Sequence, residues 1–155
     1  MKQTSIVFFI TFIFIIIFSA CQENMYMDWK LRNDSWYSVH KSDPGFITTP
    51  SGLCYKVIHQ GVQRYPNVNS VVIVSYKGTL IDGSVFDSTA AGATTQISLS
   101  SAIPGWKEGL PKMQSGGNYI FYVPSKIGYD TVSTNPVIPP YSVLKFDVHL
   151  IDSYN

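Results

Sequence analysis

Residues 71–88 read VVIVSYKGTLIDGSVFDS, and this stretch decides the fold class. Its first six residues are mostly β-branched and apolar, which is typical of a central β-strand. The pair Asp82-Gly83 is a strong turn dipeptide, and Val85-Phe86 resumes an apolar run directly after it. The stretch therefore predicts a strand that leads into a tight turn and a second strand.

Further strands are predicted on both sides of this turn. Residues 53–58 and 119–123 are short apolar runs, and residues 143–151 alternate between apolar and polar side chains. Alternation indicates a strand with one face in the core and the other in water. Residues 88–96 are Ser, Thr, Ala, Gly and Gln, and they are predicted to form a loop.

One short helix is predicted between these strands. Trp106, Leu110 and Met113 are spaced four and then three residues apart, which places them on one face of a helix of about two turns. Pro104 and Pro111 limit the length of that helix. Several strands, one short helix and long loops predict an α+β domain in which an antiparallel sheet covers the helix.

Four ordered blocks of this sequence resemble the FKBP-type peptidyl-prolyl isomerases. They are residues 74–88, residues 102–110 (AIPGWKEGL), Tyr129 followed eight residues later by VIPP, and residues 144–148 (LKFDV). The segment TPSGL at residues 49–53 is similar to the start of the domain in bacterial, Mip-like members. The resemblance covers residues 46–152 and implies an antiparallel β half-barrel wrapped around one short α-helix.

The resemblance also implies an apolar pocket that binds a proline-containing peptide. Trp106 would form the floor, and Asp87 would stand at the rim as a polar partner. The Tyr129 hydroxyl and the Ile103 backbone N–H would donate to carbonyls of the peptide. The residues expected to carry catalysis are Tyr76, Phe86, Asp87, Trp106, Tyr129 and Phe146, and those expected to bind substrate are Ile97, Ala102, Ile103, Val137 and Ile138.

Such residue types suit the isomerisation of an X-Pro bond. Rotation crosses a barrier of about 18–20 kcal/mol because it breaks amide resonance. The twisted amide has lost charge separation, so an apolar cavity favours it over the planar ground state. No nucleophile, cofactor or metal is expected, and the two cysteines and three scattered histidines offer no metal-ligand cluster. The resemblance implies macrolides as inhibitors.

The charge balance argues against a nucleic-acid partner. Lys and Arg number 11 and Asp and Glu number 10, which gives a formal net charge of +1. A nucleic-acid-binding surface requires a clustered basic surplus.

The N-terminus predicts export and a lipid anchor. Residues 6–18 form an apolar run after Lys2, and this run is shorter than the roughly 20 residues of a membrane span. It ends in FSAC at residues 18–21, which resembles the lipobox of bacterial lipoproteins and implies acylation of Cys21. The alternatives are an ordinary signal peptide cut near Ala20 and an uncleaved anchor. The lipobox interpretation predicts that the protein is attached by lipid to a membrane of the bacterial cell envelope, with the outer membrane favoured.

The chain is therefore divided into a lipoprotein signal peptide (residues 1–20), a tether or short helical leader (residues 21–45) and the isomerase domain (residues 46–152). In the leader, Met25, Trp29 and Trp36 are spaced as on one face of a helix, although an irregular tether is also compatible. With Cys21 lipidated, Cys54 has no disulfide partner and is expected to pack as a small apolar residue in a strand.

The leading hypothesis is a membrane-anchored peptidyl-prolyl isomerase that assists the folding of exported proteins. The alternative is a binding module of the same fold that holds proline-containing segments with little turnover. Thr95, Ile97 and Asp130 favour the alternative, because the family commonly has aromatic residues at the first two positions and Gly at the third. A third hypothesis is a chaperone that grips clients with Trp29 and Trp36.

Overall fold

The computed structural model describes residues 25–132 and 137–154, and its described strands form one antiparallel sheet. The strands are β1 (Phe46–Thr48), β2 (Cys54–His59), β3 (Val71–Thr79), β4 (Val85–Ser88), β5 (Thr95–Ser98), β6 (Asn118–Val123) and β7 (Leu144–Tyr154). Their order across the sheet is β1-β2-β6-β7-β3-β4, and β5 pairs with β3 beside β4. The sheet covers a short helix as an open half-barrel, as the family resemblance implies.

Strands β3 and β7 form the long central pair. Their register runs from Val71 opposite Tyr154 to Thr79 opposite Lys145, with an irregularity between Ile73 and Val74. From Leu144 to Leu150, the side chains of β7 alternate between a buried and a more exposed face. The predicted alternation is therefore confirmed, and one face of β7 belongs to the core.

Two helices are described, α1 (residues 25–40) and α2 (Pro104–Gly109). Helix α2 lies inside the half-barrel and continues as a 3₁₀ turn, Leu110–Lys112. The predicted face is confirmed, since Trp106, Leu110 and Met113 are all buried. The α-helical part is shorter than the predicted two turns because Pro111 has no N–H for the next helical hydrogen bond.

Two glycines let α2 lie directly on β6. A Cβ atom at Gly105 would stand 2.6 Å from Val123 Cγ1, and one at Gly109 would stand 2.7 Å from Phe121 Cε1. These distances are shorter than a van der Waals contact, so only glycine allows this approach. Close packing of α2 on β6 fixes the distance of Trp106 from the sheet.

The loop predicted over residues 88–96 is too long. Strand β5 begins at Thr95, and Thr95 and Gln96 lie opposite Val74 and Ile73 of β3. Strand formation depends on the available partner as well as on side-chain type, and the free edge of β3 provides that partner. Strand β7 likewise extends beyond the predicted end at residue 151.

Residues 25–40 form helix α1, where the sequence left a helix and an irregular tether open. Trp29 packs against the hydrophobic core. The Trp36 ring lies edge-on to Tyr122 with centroids 4.9 Å apart, and Lys145 Nζ lies 5.4 Å from its centroid. Both tryptophans contact the domain, which argues against the chaperone hypothesis that used them as an exposed grip.

Among the described helices, none is long and apolar enough to cross a membrane. Cys54 is buried in β2 with its thiol free, as the sequence predicts. Burial raises the pKa of the Cys54 thiol. The predicted signal peptide and Cys21 lie outside the described residues.

Candidate functional site

A cavity of about 210 Å³ opens between helix α2 and the inner face of the sheet. At about 30 Å³ per water molecule, it has room for roughly seven waters, enough for a small side-chain ring. The residues that line it come from β3, β4, β5, α2, β7 and two loops, and they are Tyr76, Phe86, Asp87, Ile97, Ser101, Ala102, Ile103, Trp106, Tyr129 and Phe146.

The aromatic walls hold one another in edge-to-face contacts. The ring of Phe146 lies 5.2 Å from that of Trp106 and 5.4 Å from that of Phe86, with interplanar angles of 77° and 89°. The Tyr76 ring meets Trp106 at 5.2 Å and 85°. Edge-to-face pairs at these separations are favourable, so the four rings form a preorganised apolar surface.

Gly78 sets the position of one wall. A Cβ atom at this residue would stand 2.6 Å from Phe86 Cζ and 3.2 Å from Phe146 Cε1. The two rings therefore lie against the bare backbone of β3. A side chain at this position would push Phe86 toward the cavity.

The rim of the cavity carries a tyrosine–carboxylate pair. The Tyr76 hydroxyl donates a hydrogen bond to Asp87 Oδ2, and this bond joins β3 to β4. Burial, and after it the bond to Asp87, raises the pKa of Tyr76 well above its ordinary value. Tyr76 is therefore held as a neutral donor whose hydrogen points at the carboxylate.

Hydrogen-bond donors around the cavity are available to a ligand. Burial raises the pKa of Tyr129, and the negative charge of Asp87 adds to the effect. Among the described residues, neither the Tyr129 hydroxyl nor the Ile103 backbone N–H donates to an acceptor. The indole N–H of Trp106 is also buried, and it has no hydrogen-bond acceptor among the described residues. A buried donor of this kind is satisfied by a bound ligand or an ordered water.

The cavity brings together all six residues that were expected to carry catalysis, along with Ile97, Ala102 and Ile103. Val137 and Ile138 do not line it: Ile138 is buried in the core, and Val137 is 51% exposed. Their expected part in substrate binding stays a prediction. Sequence reasoning missed Ser101, although its position directly before Ala102 and Ile103 was a signal that could have found it.

No ligand set for a metal is visible in the described ranges, where His, Cys, Asp and Glu side chains do not gather in groups of three or more that could hold an ion. The cavity instead combines aromatic walls with uncharged donors and one carboxylate at the rim. That combination suits an apolar group flanked by carbonyl oxygens.

The part of the chain that forms the cavity matches a known protein family. Residues 62–151, more than half of the chain, match the family of FKBP-type peptidyl-prolyl cis-trans isomerases. The chain belongs to this family. The resemblance in the FKBP sequence blocks is thus confirmed by a match that contains all ten cavity-lining residues.

Individual FKBP relatives support the resemblance to Mip-like members. The chain is 42% identical over 123 residues to the outer membrane protein MIP of Legionella longbeachae. That alignment covers 79% of this chain and 53% of the relative. It is 40% identical over 126 residues to the FKBP-type isomerase FkpA of Escherichia coli, and this alignment covers 81% of this chain and 46% of the relative. The chain spans about half the length of the curated relatives it matches.

Solved FKBP structures share the fold. The crystal structure of FkpA from Escherichia coli superposes with a TM-score of 0.81 at 34% identity, covering 87% of this chain and 63% of that one. An isomerase from Pseudomonas syringae superposes with a TM-score of 0.75 at 27% identity, covering 80% and 92% of the two chains. The α+β half-barrel expected from the sequence is confirmed by these neighbours.

Proposed function

We propose that this protein is a peptidyl-prolyl cis-trans isomerase that assists the folding of exported proteins. The observation that carries the proposal is the aromatic cavity with Trp106 at its base in a chain of the FKBP family. The cavity has the size for a proline ring and offers donors to the carbonyls beside it. Its lining lacks a nucleophile paired with a base, and amide rotation requires none.

In this proposal, the walls and the donors have separate tasks. The proline ring lies on Trp106 between Phe86 and Phe146, while the Ile103 N–H and the Tyr129 hydroxyl hold carbonyls of the peptide. The apolar walls favour the twisted amide, whose charge separation is reduced, over the planar amide. Tyr76 and Asp87 fix the rim where the peptide enters.

The simplest test of turnover follows cis–trans exchange of a short X-Pro peptide by NMR, with the full-length protein in detergent. Uncatalysed exchange takes tens to hundreds of seconds, so acceleration by substoichiometric protein is readily seen. We expect such acceleration. An unchanged exchange rate in the presence of folded protein would contradict the proposed activity.

The alternative is a binding module of the same fold, and Ile97 is the observation that favours it. Ile97 lines the cavity at a position where the family commonly has an aromatic residue. A less aromatic wall still holds a proline ring but discriminates less between the planar and twisted amides. Binding of the peptide without faster exchange would support this alternative.

We further propose that acylation of Cys21 anchors the protein in the bacterial envelope, with the outer membrane favoured. The support is the lipobox-like FSAC at residues 18–21 and the similarity to a Legionella longbeachae relative named as an outer membrane protein. Several acyl chains give stable anchoring, since each buried CH₂ contributes about 0.8 kcal/mol. Cys21→Ser is expected to move the protein from the membrane fraction to the soluble fraction. Retention of Cys21→Ser in the membrane would indicate an uncleaved anchor instead.

A further inference from the structure

Two non-glycine residues with positive φ are bonded to each other, and one of them directly follows Tyr129. Within the described ranges, the non-glycine residues with positive φ are Asp130 at 50° and Tyr141 at 66°. The two are joined, because the Tyr141 N–H donates to the Asp130 carbonyl at 2.8 Å. Residues with a Cβ remain in this region only where their surroundings hold them. The Asp130 N–H also donates to the Ser125 carbonyl at 2.8 Å, so Tyr141 is one of two backbone contacts that hold the residue after Tyr129.

Helix α1 supplies the first of two contacts that hold the residues after Tyr141. The Trp29 indole N–H donates to Ser142 Oγ at 2.9 Å, across 113 positions of sequence. Ser142 Oγ in turn donates to the Pro139 carbonyl at 2.6 Å. This chain of bonds ties the segment 138–143 to α1.

Asn33 of α1 supplies the second contact. The Val143 N–H donates to Asn33 Oδ1 at 2.7 Å, and Asn33 Nδ2 donates to the Trp29 carbonyl at 2.8 Å. Asn33 is fully buried, and both ends of its amide are satisfied. Loss of a buried hydrogen-bond partner is costly because the remaining group is left without water or protein to bond. The start of β7 is thus held by a side chain that lies outside the half-barrel.

We propose that helix α1 positions the Tyr129 hydroxyl for substrate by holding the segment 138–143, and that Asn33 is the positioning residue. This inference rests on the function proposed above, since it assigns α1 a part in the same cavity. Asn33 does not touch the cavity and acts through the residues that line it.

The test compares Asn33→Ala with Trp36→Leu in the full-length protein in detergent, at a temperature where both are folded. Trp36 is a matched control because it lies on α1 but its ring contacts Tyr122 and Lys145 rather than the segment 138–143. We expect Asn33→Ala to lower kcat/KM for X-Pro exchange about tenfold. Trp36→Leu should stay within about twofold of wild type. Equal losses in the two variants, or no loss in Asn33→Ala, would overturn the proposal.

A double-mutant cycle separates positioning from a general loss of structure. If Asn33 acts through Tyr129, the variant carrying both Asn33→Ala and Tyr129→Phe is expected to be no slower than Tyr129→Phe alone. Additive losses would contradict the proposal. Should Asn33→Ala fail to fold, Ser142→Ala removes the hydroxyl that accepts from the Trp29 indole and replaces Asn33→Ala in both comparisons.

Amide hydrogen exchange gives a readout that does not depend on activity. We expect protection of the Tyr141 and Val143 amides to fall at least tenfold in Asn33→Ala, while that of Val74 in β3 changes less. Unchanged protection at Tyr141 and Val143 would overturn the proposal. If the wild type shows no turnover, the proposed function fails, and amide exchange then decides the role of α1 alone.

Discussion

The Tyr76 hydroxyl donates a hydrogen bond to Asp87 Oδ2 and thereby ties β3 to β4 at the rim of the cavity. Burial and this bond both raise the pKa of Tyr76, so the donor keeps its proton at neutral pH. The Asp87 carboxylate also lies close enough to Tyr129 to raise the pKa of that hydroxyl. One exposed carboxylate therefore influences two tyrosines that line the cavity.

Removal of the Tyr76 hydroxyl should weaken the rim without removing the wall. In Tyr76→Phe the ring remains against Trp106, but Asp87 loses its donor. A hydrogen bond to a charged group contributes about 1.5–3 kcal/mol, so we expect kcat/KM for X-Pro exchange to fall about tenfold. Tyr65→Phe, at an exposed tyrosine away from the cavity, is the control and should behave as wild type. Equal activity of Tyr76→Phe and wild type would show that the pair has no part in turnover.

Trp106→Leu should abolish most turnover while the fold remains. Leucine keeps an apolar residue in α2 but removes the flat surface beneath the cavity and its contacts with Tyr76 and Phe146. We expect kcat/KM to fall by at least tenfold and the free energy of unfolding to fall by about 2–4 kcal/mol. Circular dichroism and urea unfolding check the fold beside the exchange assay. Wild-type turnover in this variant would place the active site elsewhere.

Gly78→Ala should displace Phe86 by steric contact alone. Its Cβ would stand 2.6 Å from Phe86 Cζ, and overpacking of this kind costs about 1–3 kcal/mol. We expect weaker binding of an X-Pro peptide, measured by calorimetry, along with a lower unfolding midpoint. Ser75→Ala, on the same strand but on the face opposite the cavity, is the matched control. Unchanged peptide affinity in Gly78→Ala would contradict the placement of Phe86 as a wall.

Stability should fall in alkaline solution because several tyrosines hold their protons more tightly in the folded protein. Burial raises the pKa of Tyr76, Tyr119 and Tyr129 above their ordinary value of 10.0. Above pH 10 the unfolded chain binds fewer protons than the folded one, so the free energy of unfolding decreases as pH rises. Below pH 10 this contribution is fully present.

Urea unfolding between pH 8 and pH 11 measures this decline. Tyr76→Phe removes one of the titrating groups, so its slope of unfolding free energy against pH should be shallower than that of wild type by up to one proton. The same slope in both proteins would contradict the raised pKa of Tyr76.

The sequence was most informative where local chemistry and packing agree. Asp82-Gly83 predicts a turn, and the structure has one there between β3 and β4. Trp106 sits on a short apolar face bounded by prolines, so its burial could be predicted from spacing alone. Asp130 was noted where the family commonly has Gly, and it adopts a φ of 50° that glycine accepts more easily.

The remainder depends on contacts that join distant parts of the chain. The bond between Asn33 and Val143 spans 110 positions, and no local pattern specifies the Val143 N–H as the donor to Asn33. A signal was nevertheless present, because Asn33 is a polar residue on the face of α1 that carries Trp29 and Trp36. A polar side chain in that position needs a specific partner once it is buried. Thr95 lacks even such a signal, since its place in a strand depends on the free edge of β3.

The central claim is that this cavity accelerates rotation about X-Pro bonds, and inhibition of exchange by a macrolide tests it most directly. NMR exchange of a short X-Pro peptide is followed with wild type and with Trp106→Leu, while a macrolide inhibitor of the family is added stepwise. We expect wild type to accelerate exchange until one equivalent of macrolide is bound, and Trp106→Leu to show little acceleration from the start. Acceleration that persists in macrolide-saturated protein, or that is equal in the two proteins, would contradict the account.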